Sequence, residues 1–181
     1  MKERADAELV RESLLGNQRA FEVLVRKYEK PIFNLALRML KDRDDAADVA
    51  QSVFVKAYEK LDSFDTNHEF FSWIYRIAIN ESINFQKRTK RLDEYESGVT
   101  AVLAPTQEAE HGADVLRDEI VDAIETLTMD YQIVIVLRHF HDFSYEEMAE
   151  VLSVPEKTIK SRLFTARQQL KEVLATRGIT Q

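Results

Sequence analysis

The chain has no cysteine, three prolines and four glycines in 181 residues. Without cysteine there is no disulfide framework and no argument for an oxidising compartment, so any thiol-based sensing would have to lie in a partner. The scarcity of proline and glycine leaves long stretches free to be helical. No segment approaches the ~20 consecutive apolar residues needed to span a bilayer, and the opening MKERADAELV lacks the apolar core of a signal peptide. A cytoplasmic protein without direct membrane insertion is therefore expected. There is no glycine-rich phosphate loop, no G-x-S-x-G and no H-E-x-x-H, and no internal repeat.

Metal chemistry has thin support. Glu108 and His111 stand at the E-x-x-H spacing of di-iron helices, but that spacing occurs once, in a stretch that breaks helical period. His139 and His141, two apart, would point to different sides of a helix. No metal and no cofactor are expected. A helical metal enzyme built around Glu108 and His111 is a reading that metal analysis would settle. The net charge of −7 argues on its face against nucleic acid, whose non-specific affinity comes from positive charge. The distribution of charge matters more than the sum.

The stretch FSYEEMAEVLSVPEKTIKSRLFTARQQLK spells two helices joined by a tight turn. Ser144 and Glu147 stand at the spacing of a capping box, and Phe143 and Met148 at that of a hydrophobic staple. Met148, Ala149 and Leu152 form an apolar stripe, Ser153 and Val154 the turn, and Pro155 suits the first position of the next helix. In that helix Ile159, Leu163, Ala166, Leu170 and Val173 fall on one face. Lys157, Lys160, Ser161, Phe164, Thr165, Arg167 and Lys171 face outward, and Thr158 and Arg162 occupy the flank nearer the core, either to contact an opposite DNA strand or to brace the first helix through Glu147 or Glu150. A helix with an apolar back and a basic, hydroxyl-bearing front suits a DNA major groove. An ordinary solvated helix hairpin is the other reading.

Earlier in the chain, Leu9, Val10, Leu14 and Leu15 suggest a short helix ended by Gly16, with Asn17 as the next cap. Phe21, Leu24, Val25 and Tyr28 continue past Pro31 into Ile32, Leu35, Ala36, Met39 and Leu40, with Pro31 as a kink or a join of two helices. A helix from Asp45 to about Leu61 buries Val49, Val53, Ala57 and Leu61. Its other face offers Asp48, Gln51, Ser52, Val55 and Lys56, either to a partner or to solvent.

A polar loop then runs into a long helix. Ile74, Ile77 and Ala78 supply its buried side, while Phe64, Phe70, Phe71, Trp73 and Tyr75 are more aromatics than one small helix needs to pack. The same helix ends in Lys87, Arg88, Lys90 and Arg91. Flat rings beside a basic track suit single-stranded nucleic acid, and core aromatics with a favourable helix C-terminus are the alternative. Residues 92–114 carry Gly98, Pro105, Gly112 and a run of acids, and read as a linker. Leu116, Ile120, Ile124 and Leu127, then Ile133, Val134, Val136 and Leu137, mark two further helices.

Together these residues resemble a family, the bacterial extracytoplasmic-function sigma factors of the sigma-70 family. DAADVAQSVFVKAYEKLDSF resembles region 2.2, with Asp48, Gln51, Phe54 and Lys56 in register. FFSWIYRIAINESINFQKRTKR resembles regions 2.3 and 2.4 at Phe70, Trp73, Tyr75, Arg76, Ala78 and Asn80. LTMDYQIVIVLRHFHDFSYEEMAEVLSVPEKTIKSRLFTARQQLK resembles region 4. The departures are Ser52 where an acid is common, Ile79 where a basic residue is common, Thr128 where proline is usual, and Ser153 and Lys157 where glycines often sit.

The resemblance implies an all-α protein of two small helical domains, residues 1–91 and 115–181, joined by a flexible acidic linker over 92–114. It implies a transcription factor and not an enzyme, since polymerase supplies the catalysis. Asp45, Asp48, Gln51, Ser52, Val55 and Lys56 would dock on the clamp of the largest subunit of core RNA polymerase. Phe64, Asp65, Thr66, Asn67, His68, Phe70, Trp73, Tyr75, Arg76, Asn80, Lys87 and Arg88 would capture the melted −10 strand of promoter DNA. Lys157, Thr158, Lys160, Ser161, Arg162, Phe164, Thr165, Arg167 and Lys171 would read the −35 element. An anti-sigma factor is an expected further partner. A helix-turn-helix regulator with an N-terminal sensing or dimerisation domain is the alternative.

Overall fold

The computed structural model describes residues 5–66, 68–96 and 112–179. Every regular element among them is helical: α1 (Asp6–Leu14), α2 (Gln18–Leu40), α3 (Arg43–Glu59), a 3-10 turn at Leu61–Ser63, α4 (Phe70–Glu96), α5 (Gly112–Glu125), α6 (Met129–Phe140), α7 (Tyr145–Leu152) and α8 (Glu156–Thr176). Helices α1–α4 form one compact unit and α5–α8 the body of a second, the division falling between Lys90 and Arg91. The stretch expected as a linker is helical at both ends, because α4 runs on to Glu96 and α5 opens at Gly112. Its middle, with Glu108 and His111, lies outside the described residues.

In the first unit, α1 buries Leu9 and Val10 and stops where Gly16 takes φ +92, a left-handed conformation that glycine adopts without a Cβ clash. Asn17 does not cap α2 with its side chain; its amide donates instead to Glu12 Oε2 at 2.9 Å. The hydroxyl of Tyr28 on α2 donates to Asp6 of α1, and Lys27 pairs with the same carboxylate at 2.7 Å. Burial, then the Asp6 carboxylate, pushes the Tyr28 phenol up from its ordinary value. Helix α2 passes through Pro31 as a single element, so neither end of the chain around the proline behaves as a separate helix. The missing N–H removes one rung of the ladder, while Ile32, Leu35, Ala36 and Met39 beyond it are buried.

Helix α3 begins two residues ahead of the expected Asp45 because Asp42 caps it, accepting from the N–H groups of Asp44 and Asp45 at 2.8 Å each. Val49, Val53 and Ala57 face inward as the periodicity implies, and Leu61 follows in the 3-10 turn. On α4 the buried row is Phe70, Ile74, Tyr75, Ala78, Ile79 and Ser82. Ile79, not the half-buried Ile77, completes the core. The position where the family commonly has a basic residue therefore faces the bundle interior.

In the second unit Ile133–Leu137 of α6 are all buried, as are Met148 of α7 and Ile159, Leu163 and Ala166 of α8. Two details differ from the apolar pattern. On α7 Ala149 and Leu152 are only half-buried and Val151 is buried, and the inward row of α8 loosens after Ala166, with Leu170 and Val173 only half-buried. The end of α8 runs beside α5, where the Arg177 guanidinium donates to the Glu119 carbonyl at 3.3 Å.

Candidate nucleic-acid and docking surfaces

The helix pair of the second unit is built by local chemistry. Ser144 Oγ accepts from the Glu147 N–H at 3.1 Å and Glu147 Oε2 accepts from the Ser144 N–H at 2.7 Å, a closed capping box. Phe143 and Met148 are both buried, as a staple requires. The turn closes through Ser153, held at φ 54, and the Val154 N–H donates to the Ala149 carbonyl at 3.1 Å. Pro155 sits one position earlier than expected. Its ψ of 145 is extended, making it the N-cap of α8, and its carbonyl accepts from Thr158 and Ile159.

This geometry turns one face of α8 outward. Lys157, Lys160, Ser161, Phe164, Arg167 and Lys171 are exposed, while Thr158, Arg162 and Thr165 are half-buried. Phe164 is 66% exposed, unusual for a phenylalanine in a packed helix. Two of the bases are paired. Lys160 pairs with Glu156 at 2.7 Å, and Arg162 pairs with Asp130 of α6 at 3.0 Å and not with Glu147 or Glu150. Arg162 thus braces α8 against the start of α6.

Three residues that the sequence analysis did not assign to this surface join it. The Tyr145 ring carries two cations, Arg138 at 5.5 Å and Lys160 at 5.4 Å from its centroid, while Arg138 also donates to the Phe143 carbonyl at 2.7 Å. Arg167 lies 3.3 Å from the His139 ring nitrogen. Burial, then the charges of Arg167 and Arg138, lower the His139 pKa and favour the neutral ring. The available signal was the basic last turn of α6, Arg138 and His139, one short loop ahead of the helix pair.

In the first unit, Asp48 and Gln51 of α3 are exposed, and Val55 and Tyr58 are each 51% exposed. Asp45 is half-buried, and burial followed by the charges of Asp42, Asp48 and Asp44 raises its pKa. Tyr58, which the periodicity did not single out, meets Phe21 edge-on at 5.0 Å. Ser52 and Lys56 are turned inward to α4, where Glu81 Oε2 lies 3.4 Å from the serine hydroxyl and 2.6 Å from the lysine ammonium.

The loop before α4 exposes Asp65, Thr66 and His68, and Asn67 lies outside the described residues. The aromatics do not form an outer platform. Phe64, Phe70 and Tyr75 are buried and Trp73 and Phe71 half-buried. Phe64, Phe70 and Trp73 meet at centroid distances of 5.2–5.7 Å, and Tyr28 meets Phe70 at 5.6 Å. The rings therefore bind the loop to the bundle and leave an edge of Trp73 in reach of solvent. Burial pushes the Tyr75 phenol up to about 12. Arg76, Asn80, Lys87, Arg88 and Arg91 of α4 are exposed, giving a polar and basic track along the helix.

Comparison with known proteins accounts for both units. Residues 24–92 match the family model for Sigma-70 region 2, and residues 117–170 that for Sigma-70, region 4. The RNA polymerase sigma-H factor of Pseudomonas aeruginosa is 37% identical, over 93% of this chain and 93% of its own. The ECF RNA polymerase sigma-E factor of Escherichia coli is 33% identical, over 91% and 92%. Among solved structures, the sigma factor RpoE in complex with the anti-sigma factor NepR from Bartonella quintana is similar at a TM-score of 0.70 and 27% identity. The match covers 86% of this chain and 96% of that one.

Proposed function

The chain belongs to the sigma-70 family, as an extracytoplasmic-function sigma factor, and from that premise we propose which of its surfaces does which part of the work. A sigma factor is a transcription factor that directs RNA polymerase to promoters, and no catalytic role is assigned to this chain; polymerase makes the bonds. Residues 1–91 act as region 2, 92–114 as the linker and 115–181 as region 4.

On α3, Asp48, Gln51 and Val55, with Tyr58 beside them, dock on the clamp of core polymerase, Asp45 standing at the edge of that face. On α4, Arg76, Asn80, Lys87 and Arg88 track the melted −10 strand, and the loop 65–68 with Trp73 holds an unstacked base, whose extrusion costs a few kcal/mol that a fitted pocket can offset. Phe64, Phe70 and Tyr75 support that pocket from beneath. On α8, Lys157, Ser161, Phe164 and Thr165 read the −35 bases. Lys160, Arg167 and Lys171 hold one phosphate strand, with Thr158 and Arg162 on the other flank. An anti-sigma factor is a further partner, as for the relative solved with NepR. The site of action is the bacterial cytoplasm; no helix among the described residues is long and apolar enough to cross a membrane.

The observation that carries this reading is that region 2 and region 4 match in order, and that each corresponding unit exposes a basic helix face backed by core. A regulator with an N-terminal sensing domain is not favoured, because region 2 occupies that unit. The test is assembly with core polymerase and transcription from a library of promoter-like duplexes. Specific initiation that depends on the chain is the expected result, and failure to assemble with core overturns it.

A further inference from the structure

The pairing of Lys56 with Glu81 joins the two working helices of the first unit. Glu81 lies on α4 among Ala78, Ile79 and Ser82, and is nine-tenths buried. Its Oε2 receives the Lys56 ammonium at 2.6 Å and the Ser52 hydroxyl at 3.4 Å. Ser52 and Lys56 are four apart on α3, so one carboxylate is gripped at two points one helical turn apart. Apolar contacts are non-directional, and alone would fix the rotation of α4 against α3 only coarsely. A buried charge held in one direction fixes it more closely, since turning it away leaves it desolvated and unpaired.

The rotation matters because of what stands beside these residues. Gln51 and Val55 precede Ser52 and Lys56 by one residue each, about 100° round α3. Arg76 and Asn80 share a stripe of α4 about 100–140° round from Glu81. We infer that Glu81 is a positioning residue: its grip on Lys56 and Ser52 sets the angle between the polymerase-docking face of α3 and the strand-reading face of α4. Docking on core then presents Arg76 and Asn80 to the melted strand in one orientation. Lys56 acts through Glu81 and not by touching polymerase. The inference rests on the sigma-factor reading above.

The two partners are unequally buried, the Glu81 side chain being 11% exposed and that of Lys56 41%. Removing the cation strands a buried charge, whereas removing the carboxylate frees a lysine that can reach water. With full-length chain and core polymerase, on a promoter the wild-type holoenzyme opens, Lys56→Met should lower open complexes about tenfold and Glu81→Gln only about threefold. The double variant should return to the level of Glu81→Gln. Core affinity, measured in parallel, reports the folded fraction and should move less than about twofold in Glu81→Gln. A double variant weaker than either single, as a direct polymerase contact by Lys56 predicts, overturns the inference. So do losses in core affinity equal to those in opening, or variants that open promoters like wild type. A wild-type chain that neither assembles nor opens any promoter would instead reject the reading of function on which this stands.

Discussion

Helices α4 and α8 are both long, both carry aromatic residues among bases, and they use those aromatics in opposite ways. On α4 and the loop before it, Phe64, Phe70 and Tyr75 are 6%, 2% and 4% exposed, whereas Phe164 of α8 is 66% exposed. The difference follows from what each helix packs against. The start of α4 meets Tyr28 of α2 and the end of the loop, and rings of that size close the gap between them. Helix α8 buries one row, Ile159, Leu163 and Ala166, and Phe164 stands on the exposed side. An aromatic beside a base is thus buried support in one unit and a solvent-exposed ring in the other.

The comparison breaks most readily at Phe70. Truncation to alanine should lower the stability of the first unit by about 3–5 kcal/mol, through lost burial and the cavity left behind, read by urea or thermal unfolding. A near-neutral Phe70→Ala would mean that the ring is not core and that the contrast with Phe164 is false. The reciprocal variant, Phe164→Ala, should change unfolding by no more than about 0.5 kcal/mol while weakening holoenzyme binding to the −35 element by about 1–3 kcal/mol at thymine-bearing positions. Equal loss across all −35 sequences would assign Phe164 to bulk packing on DNA and not to reading.

A smaller effect sharpens the account of the second unit. The folded state holds the His139 pKa below its ordinary 6.5, through burial and the charges of Arg167 and Arg138. The unfolded chain therefore takes up this proton first as pH falls. The stability owed to the neutral ring is complete above about pH 6.5 and is lost as pH drops from there through the lowered value. His139→Gln, neutral at every pH, should flatten that acid-side decline in melting temperature. An unchanged decline would place its origin elsewhere, and a steeper one would reverse the sign assigned to His139.

Much of α7 and α8 was legible in the chain because the signals there are local. A capping box needs only Ser144 and Glu147 three apart, and the row from Ile159 to Ala166 needs only the helical period. The partners of Arg162, Arg167 and Lys56 were not legible, since Asp130, His139 and Glu81 lie 32, 28 and 25 positions away. Spacing along one helix carries no information about a charge on another. Pro155 was misplaced by one position because proline suits both the N-cap and the first turn, and only its extended ψ separates them.

By itself the sequence determined the helical class, the turn between α7 and α8, the basic outward face of α8, and the family resemblance that region 2 and region 4 later shared with known relatives. These depend on interactions within a few residues of chain, or on motifs read in order. The tertiary structure alone decided that Phe64, Phe70 and Tyr75 are core, that Ile79 faces inward, that α2 survives Pro31, and that Lys56 pairs with Glu81. Each of these turns on which surface a second helix covers. Burial is a property of the pair of elements that meet, and neither helix carries it alone.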